Sequence, residues 1–205
     1  MRCIESVFSS SIQHVRVVAV VMALVLAAGC SSSPISSPKR NFSAAALVGV
    51  HHMSSAFNVM EFFVDDHSGS NVGREGEGGD VCCVMLPWVW RPDLTVEVRW
   101  IVGDWSKEVV SEFSRRNYSS IVTEGIYVAR VPVEAYSETG DLYVHFFPGG
   151  KVRVVTSGSG AASPNHPIAR NDPNAIAKAT QGTRISRVYS QAEREELRKK
   201  YRGGK

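Results

Sequence analysis

The sequence lacks most of the patterns that announce a chemistry. Four cysteines in 205 residues exclude a disulfide-dense miniprotein. No Cys-x-x-Cys pair offers a zinc ribbon or a thioredoxin-like redox site. No His-Glu-x-x-His or comparable ligand spacing occurs, so neither a metal nor another cofactor is expected. No Gly-x-Ser-x-Gly nucleophile elbow is present; Gly158-Ser159-Gly160 is a fragment in a Ser/Gly-rich turn. The charges nearly balance, 23 basic against 20 acidic for a net +3, which does not argue for nucleic acid. Disorder is excluded as well, because 43% of the residues are hydrophobic. The length allows one domain with a real core. With no catalytic spacing in view, the expected role is binding and not catalysis.

One apolar run stands out. Val17 to Ala28 is twelve residues without a charge, behind Arg2 and Arg16. A bilayer span needs roughly 20 such residues, whereas a signal-peptide core needs about this many. The next residues, Leu26-Ala27-Ala28-Gly29-Cys30, resemble the lipobox of bacterial lipoproteins. The fit departs at Ala27, where the pattern prefers Leu; Leu26 comes one step early. The resemblance implies that residues 1–29 are a signal peptide and that Cys30 is lipidated as the first mature residue. Its acyl chains would anchor the chain by about 0.8 kcal/mol per buried CH₂. Ser31, where an Asp would retain the protein at the inner membrane, implies the outer membrane. Residues 30–43, rich in Ser and Pro, read as an extended tether.

The small net charge hides an asymmetry. Residues 30–160 carry 11 basic and 15 acidic side chains, whereas residues 161–205 carry 10 basic and 4 acidic. The stretch 161–205 reads as a basic loop closed by a short helix. Ser190 and Glu193 fit a capping box, acidic residues precede basic ones along the helix, and Gly203-Gly204 end it. This helix is expected to be a solvated end of a flexible tail, with a basic contact to anionic lipid or an acidic partner as the alternative.

Between tether and tail, at 44–160, the segments are β-branched, aromatic and bounded by turn residues. Strands are expected at Ala46–His52, Phe57–Val64, Val81–Leu86, Leu94–Trp100, Ile126–Val131, Leu142–Phe147 and Lys151–Val155. In the fourth, Leu94, Val96, Val98 and Trp100 share one face. Pro148-Gly149-Gly150 forms a hairpin-type link. About seven short strands predict a mainly β fold, an antiparallel sandwich or open barrel, with a short C-terminal helix. Residues 106–120 break the rhythm as a short helix or an excursion loop.

The run from Ser68 to Gly79 holds five glycines. A phosphate loop would lead into a helix; here a strand follows, and Glu75 and Glu77 would repel an anion. It reads as a long flexible hairpin loop, or as a loop that binds a partner through Asn71, Arg74, Glu75 and Glu77. Trp88 and Trp90 either cap one end of the sandwich or, if exposed, anchor a partner. Export places Cys82 and Cys83 in an oxidising compartment. Neighbours on a strand point to opposite faces, so they read as two free, partly buried thiols; a disulfide between adjacent residues is the alternative. The histidines at 51, 52, 67, 145 and 166 show no ligand spacing, and Asp65-Asp66-His67 is at most a weak metal candidate.

Several runs together resemble a proteobacterial lipoprotein family filed as domain of unknown function three-three-zero-four. They are Gly76 to Pro87, Trp90 to Val96, Tyr127 to Tyr136, Leu142 to Gly150, and Ser163 to Pro167. Asp93 stands where the family pattern has Gly, at a turn. Some members resemble immunity proteins encoded beside type VI secretion lipase effectors. The resemblance therefore implies a periplasm-facing, outer-membrane-anchored protein that binds and neutralises a cognate phospholipase toxin. The alternative is a structural or assembly lipoprotein of the envelope that binds lipid, peptidoglycan or another envelope protein.

Overall fold

The computed structural model describes residues 41–107, 121–170 and 172–202. The signal segment, Cys30 and the tether up to residue 40 lie outside the described residues. So does the 106–120 excursion apart from Ser106 and Lys107.

Among the described residues the chain forms strands β1 (Phe42–His51), β2 (Phe57–Val64), β3 (His67–Ser68), β4 (Glu77–Pro87) and β5 (Thr95–Asp104). They are followed by β6 (Val122–Pro132), β7 (Asp141–Phe147), β8 (Lys151–Ser157), β9 (Thr180–Gln181) and β10 (Thr183–Arg184). A short 3-10 turn occupies Ala175–Lys178, and helix α1 spans Gln191–Arg202. No described helix is long and apolar enough to cross a membrane. The strands make two sheets, ordered β4-β1-β7-β8-β9 and β10-β6-β5-β2-β3. Every pairing between these strands is antiparallel except β1 with β7. The sheets stack as a sandwich and do not close into a barrel.

Alternation builds the inner faces. In β5, Val96, Val98, Trp100 and Val102 are buried while their neighbours are more exposed. Phe62 of β2 and Phe146 of β7 meet edge-to-face at 5.3 Å across the sandwich, and Trp100 stacks on Tyr127 at 5.4 Å. Each such fully buried apolar side chain contributes about 1.5–3 kcal/mol. In β7 and β8 the alternation vanishes, because almost every residue is buried. Both faces of these strands are covered. A second apolar cluster joins Val48, Val50, Tyr143, Phe147 and Val155 to Ala161, Ile168 and Ala175, so the segment after β8 lies over the outer face of the first sheet.

The stretch 161–202 is therefore not a free tail. After covering the first sheet it adds β9 to that sheet's edge, turns at Gly182, and adds β10 to the edge of the second sheet. A side chain at Gly182 would collide with the Trp100 ring and the Gly150 carbonyl, which is why this crossing takes a glycine. The chain then lies on the outer face of the second sheet. The Tyr189 ring meets Phe63 at 5.1 Å, and Arg99 holds Glu97 and Glu193 at 2.8 Å each. Lys200 pairs with Asp66. The capping box is real: Ser190 N–H donates to Glu193 Oε2 at 2.7 Å, and Glu193 N–H donates to Ser190 Oγ at 3.2 Å. The helix is present as expected, but it docks, because Arg99 and Asp66 supply the charge partners that its own thin apolar stripe does not.

Candidate functional site

The glycine-rich loop is pinned, contrary to its reading as a long flexible connection. Val72 is fully buried in the core and bridges Val59 on one side and Gly78 on the other. Gly76 takes a positive φ of 98°, open to glycine without strain, and its carbonyl accepts from His51 N–H at 2.8 Å. The Arg74 guanidinium donates to Ser55 O at 2.6 Å, and Arg170 donates to the Glu75 carbonyl. Asn71, Glu75 and Glu77 are exposed on this fixed frame, while Arg74 is half-buried. Glu77 opens β4, the edge strand of the first sheet. Among the described residues the outer side of β4 is bridged only where Gly78 meets Val72.

His51 and His52 hold this frame from two sides. The buried His51 ring donates from Nε2 to Gly73 O at 2.9 Å and accepts Met53 N–H on Nδ1 at 3.2 Å. That is the neutral tautomer with both nitrogens satisfied, and burial lowers its pKa accordingly. His52 starts a row of three rings. Its Nε2 lies 2.8 Å from His145 Nδ1, and His145 Nε2 lies 3.0 Å from His166 Nε2. Each end meets a carbonyl: His166 Nδ1 is 2.9 Å from Ser159 O, and His52 Nδ1 is 3.3 Å from Arg170 O.

Four links need four protons, and three neutral rings carry three. The carbonyls at both ends only accept, so with three neutral rings one of the four links goes without a proton. A fourth proton would add a charge-assisted bond worth about 1.5–3 kcal/mol, against several kcal/mol for burying the charge. Burial indeed holds His145 well below the ordinary histidine range, with the neighbouring rings and Arg153 adding to the effect. His52 is lowered by burial first, then by His51, Arg170 and Arg153. The rings run in sequence and do not converge. Among the described residues no group of three or more His, Cys, Asp or Glu is placed to hold a metal ion. The row clasps the end of β1, strand β7 and the covering segment together.

Cys82 and Cys83 are joined in a disulfide, with a cis peptide bond between them. The reading as two free, partly buried thiols is thereby corrected. The strand rule fails because the pair sits at an irregularity in β4, where the register with β1 shifts between Ala45 and Leu47. The two tryptophans part company. Trp90 is half-buried and its Nε1 donates to Val133 O at 2.9 Å, whereas Trp88 is exposed. Glu77 and Trp88 mark opposite ends of β4, about 35 Å apart along an eleven-residue strand. Asp93, at the family pattern's Gly position, closes a turn with Arg91, whose carbonyl accepts Leu94 N–H at 3.1 Å. Its φ is not positive, so the turn does not need glycine.

Sequence reasoning missed the clasp. The adjacent His51-His52 and the Pro-rich setting of His166 were its only local traces, because partners 93 and 21 residues apart leave no periodic signal. Asp65-Asp66-His67 is a turn that docks α1: Asp65 adopts φ 53° and accepts Glu97 N–H at 2.9 Å. The Lys200 ammonium holds the Asp66 carboxyl below its usual range.

The family described as Protein of unknown function (DUF3304) matches residues 51–154, half of the chain. The matched span runs from His51 to Val154 in β8, taking in the pinned loop and His145. No curated protein and no solved structure matches the chain.

Proposed function

The chain belongs to the DUF3304 family, and from that starting point we propose that it is an outer-membrane lipoprotein, anchored through Cys30 and facing the periplasm, that works by binding. Its partner in this reading is a secreted phospholipase effector, which it neutralises as an immunity protein. The observation that carries the binding role is the pinned loop, which presents Asn71, Glu75 and Glu77 to solvent beside an open strand edge. A loop already fixed loses little conformational freedom on association. Its exposed carboxylates, continued by Asp80 on β4, suit a basic patch on the partner and speed encounter. The open edge of β4 offers main-chain pairing as well.

Pull-down with the product of the neighbouring gene tests this reading. Deleting the present gene should impair growth, and co-deleting the neighbour should restore it. Replacing Glu75 and Glu77 by Lys should weaken capture at least about tenfold, a loss of about 1.4 kcal/mol. Undiminished capture by that variant, or no capture by the wild type, overturns the proposal. Labelled palmitate should enter the wild type and not Cys30→Ala.

A further inference from the structure

The corner of the sandwich where the tether ends carries an unusual surface. Among the described residues seven large apolar side chains are exposed, and four of them meet here: Phe42 at 47%, Met85 at 59%, Trp88 at 53% and Val89 at 79%. Their proximity follows from register. Phe42 pairs with Pro87 and Ala44 with Met85 across β1 and β4, and Trp88 N–H donates to Asn41 O at 3.0 Å. Phe42 and Met85 share the outer face of the first sheet, beyond the part covered by the segment after β8. Scattered apolar residues on a surface are ordinary; a contiguous group marks a contact. The group is rigidly held: Tyr136 Oη donates to Pro87 O at 2.6 Å and Trp90 Nε1 to Val133 O.

Tether length says what this corner faces. Ten residues, 31–40, separate Cys30, the proposed anchor, from Asn41, eleven Cα–Cα steps in all. A flexible chain of that length spans about 17–20 Å on average and about 36–40 Å when fully stretched. Strand β4 runs about 35 Å from this corner to the loop end. With the corner turned away from the membrane, the tether would have to stretch almost completely. With the corner turned toward it, the tether stays slack and the apolar side chains reach the interface. Charge agrees: Lys39 and Arg40 immediately precede the corner in the sequence, while the exposed Arg91 that follows it is paired with Asp93 at 3.3 Å. Tryptophan flanked by basic residues is the composition that settles at a bilayer surface rich in anionic headgroups.

We infer that Phe42, Met85, Trp88 and Val89 form a membrane-resting surface that sets the domain upright on the bilayer, with the Asn71–Glu77 loop held about 35 Å out. This rests on the lipid anchor at Cys30. The test uses the full mature protein in vesicles of phosphatidylethanolamine and phosphatidylglycerol with brominated acyl chains, and reads quenching of tryptophan emission. Intact mass of the same sample reads the acyl chains on Cys30.

Quenching is expected in the wild type. Most of it should vanish in Trp88→Phe, and likewise in Val89→Asp, whose exposed position leaves folding alone. An acylated protein that shows no quenching, or quenching indifferent to both variants, overturns the membrane-resting surface while the anchor stands. An unacylated Cys30 overturns the anchor and this inference with it. Protection of Trp88 through self-association, seen as a dimer by sedimentation, also overturns the inference in favour of a second copy of the chain.

Discussion

Mild acid should loosen this fold well before it reaches the carboxylates, and His145 is the reason. The ring is fully buried and its pKa is pushed well below the ordinary 6.5. The unfolded chain takes up a proton near that value, while the folded chain does not. Stability is therefore complete above about 6.5 and falls as the pH drops below it. The loss steepens as the pH falls below the unfolded pKa, so His145 alone removes on the order of 1 kcal/mol between about pH 6.5 and 5.5. His51 and His52 are lowered too and steepen the fall. The groups facing the row are His51, Arg153, Arg170 and Tyr143, and the guanidinium charges oppose a further proton. Urea unfolding at about pH 7.5, 6.5 and 5.5 measures the slope. In His145→Gln the amide hydrogen-bonds without titrating, so that variant should start less stable and then lose on the order of 1 kcal/mol less between about pH 6.5 and 5.5. A flat wild-type midpoint across this range, or an unchanged slope in the variant, refutes the assignment of the acid sensitivity to the row.

Two further outcomes separate the helix from the core. Arg99→Ala removes the bonds to Glu97, Glu193 and the Val188 carbonyl. Hydrogen exchange should then lose protection at 191–202, while the sandwich amides change little and global stability falls by less than about 1 kcal/mol, since the pairs are partly exposed. Arg99 and the Ser190 cap pull the Glu193 carboxyl down to about 2. That contribution is present above about 4.5 and fades as the pH falls toward 2, so α1 should stay docked at a pH where the histidine row has already weakened. Phe62→Ala should cost about 3–5 kcal/mol, read by thermal or urea unfolding. It should also free the start of the glycine loop, because the Phe62 ring lies against Gly49 and Gly69. A loss under about 1 kcal/mol would mean the ring is not the packing centre its complete burial describes.

What the sequence shows and what it hides follow one rule: a period is visible only where one face of a strand differs from the other. The β5 alternation was legible because Glu97 and Arg99 interleave with Val96, Val98 and Trp100. β7 and β8 were legible as apolar runs, though their two-sided burial was not, since the covering residues Ala161, Ile168 and Ala175 come from a segment without periodicity. β9 and β10 are two residues each, Thr180–Gln181 and Thr183–Arg184, and join their sheets through main-chain bonds that any polar dipeptide can make. The capping box was readable because Ser190 and Glu193 stand three apart; the docking of its helix was not, because Arg99 stands 94 residues from Glu193. In the glycine loop the glycines suggest freedom, and the one apolar residue carries the contrary information. Val72 sits alone among Gly, Ser, Asn, Arg and Glu, and burying this one β-branched side chain gains about 1.5–3 kcal/mol. Its complete burial fixes the loop at its centre, and His51 and Arg170 then fix it at its end. A candidate interface of exposed Asn71, Glu75 and Glu77 is thus built on a core residue, so Val72→Asp should disturb partner binding only by unfolding the frame beneath those side chains.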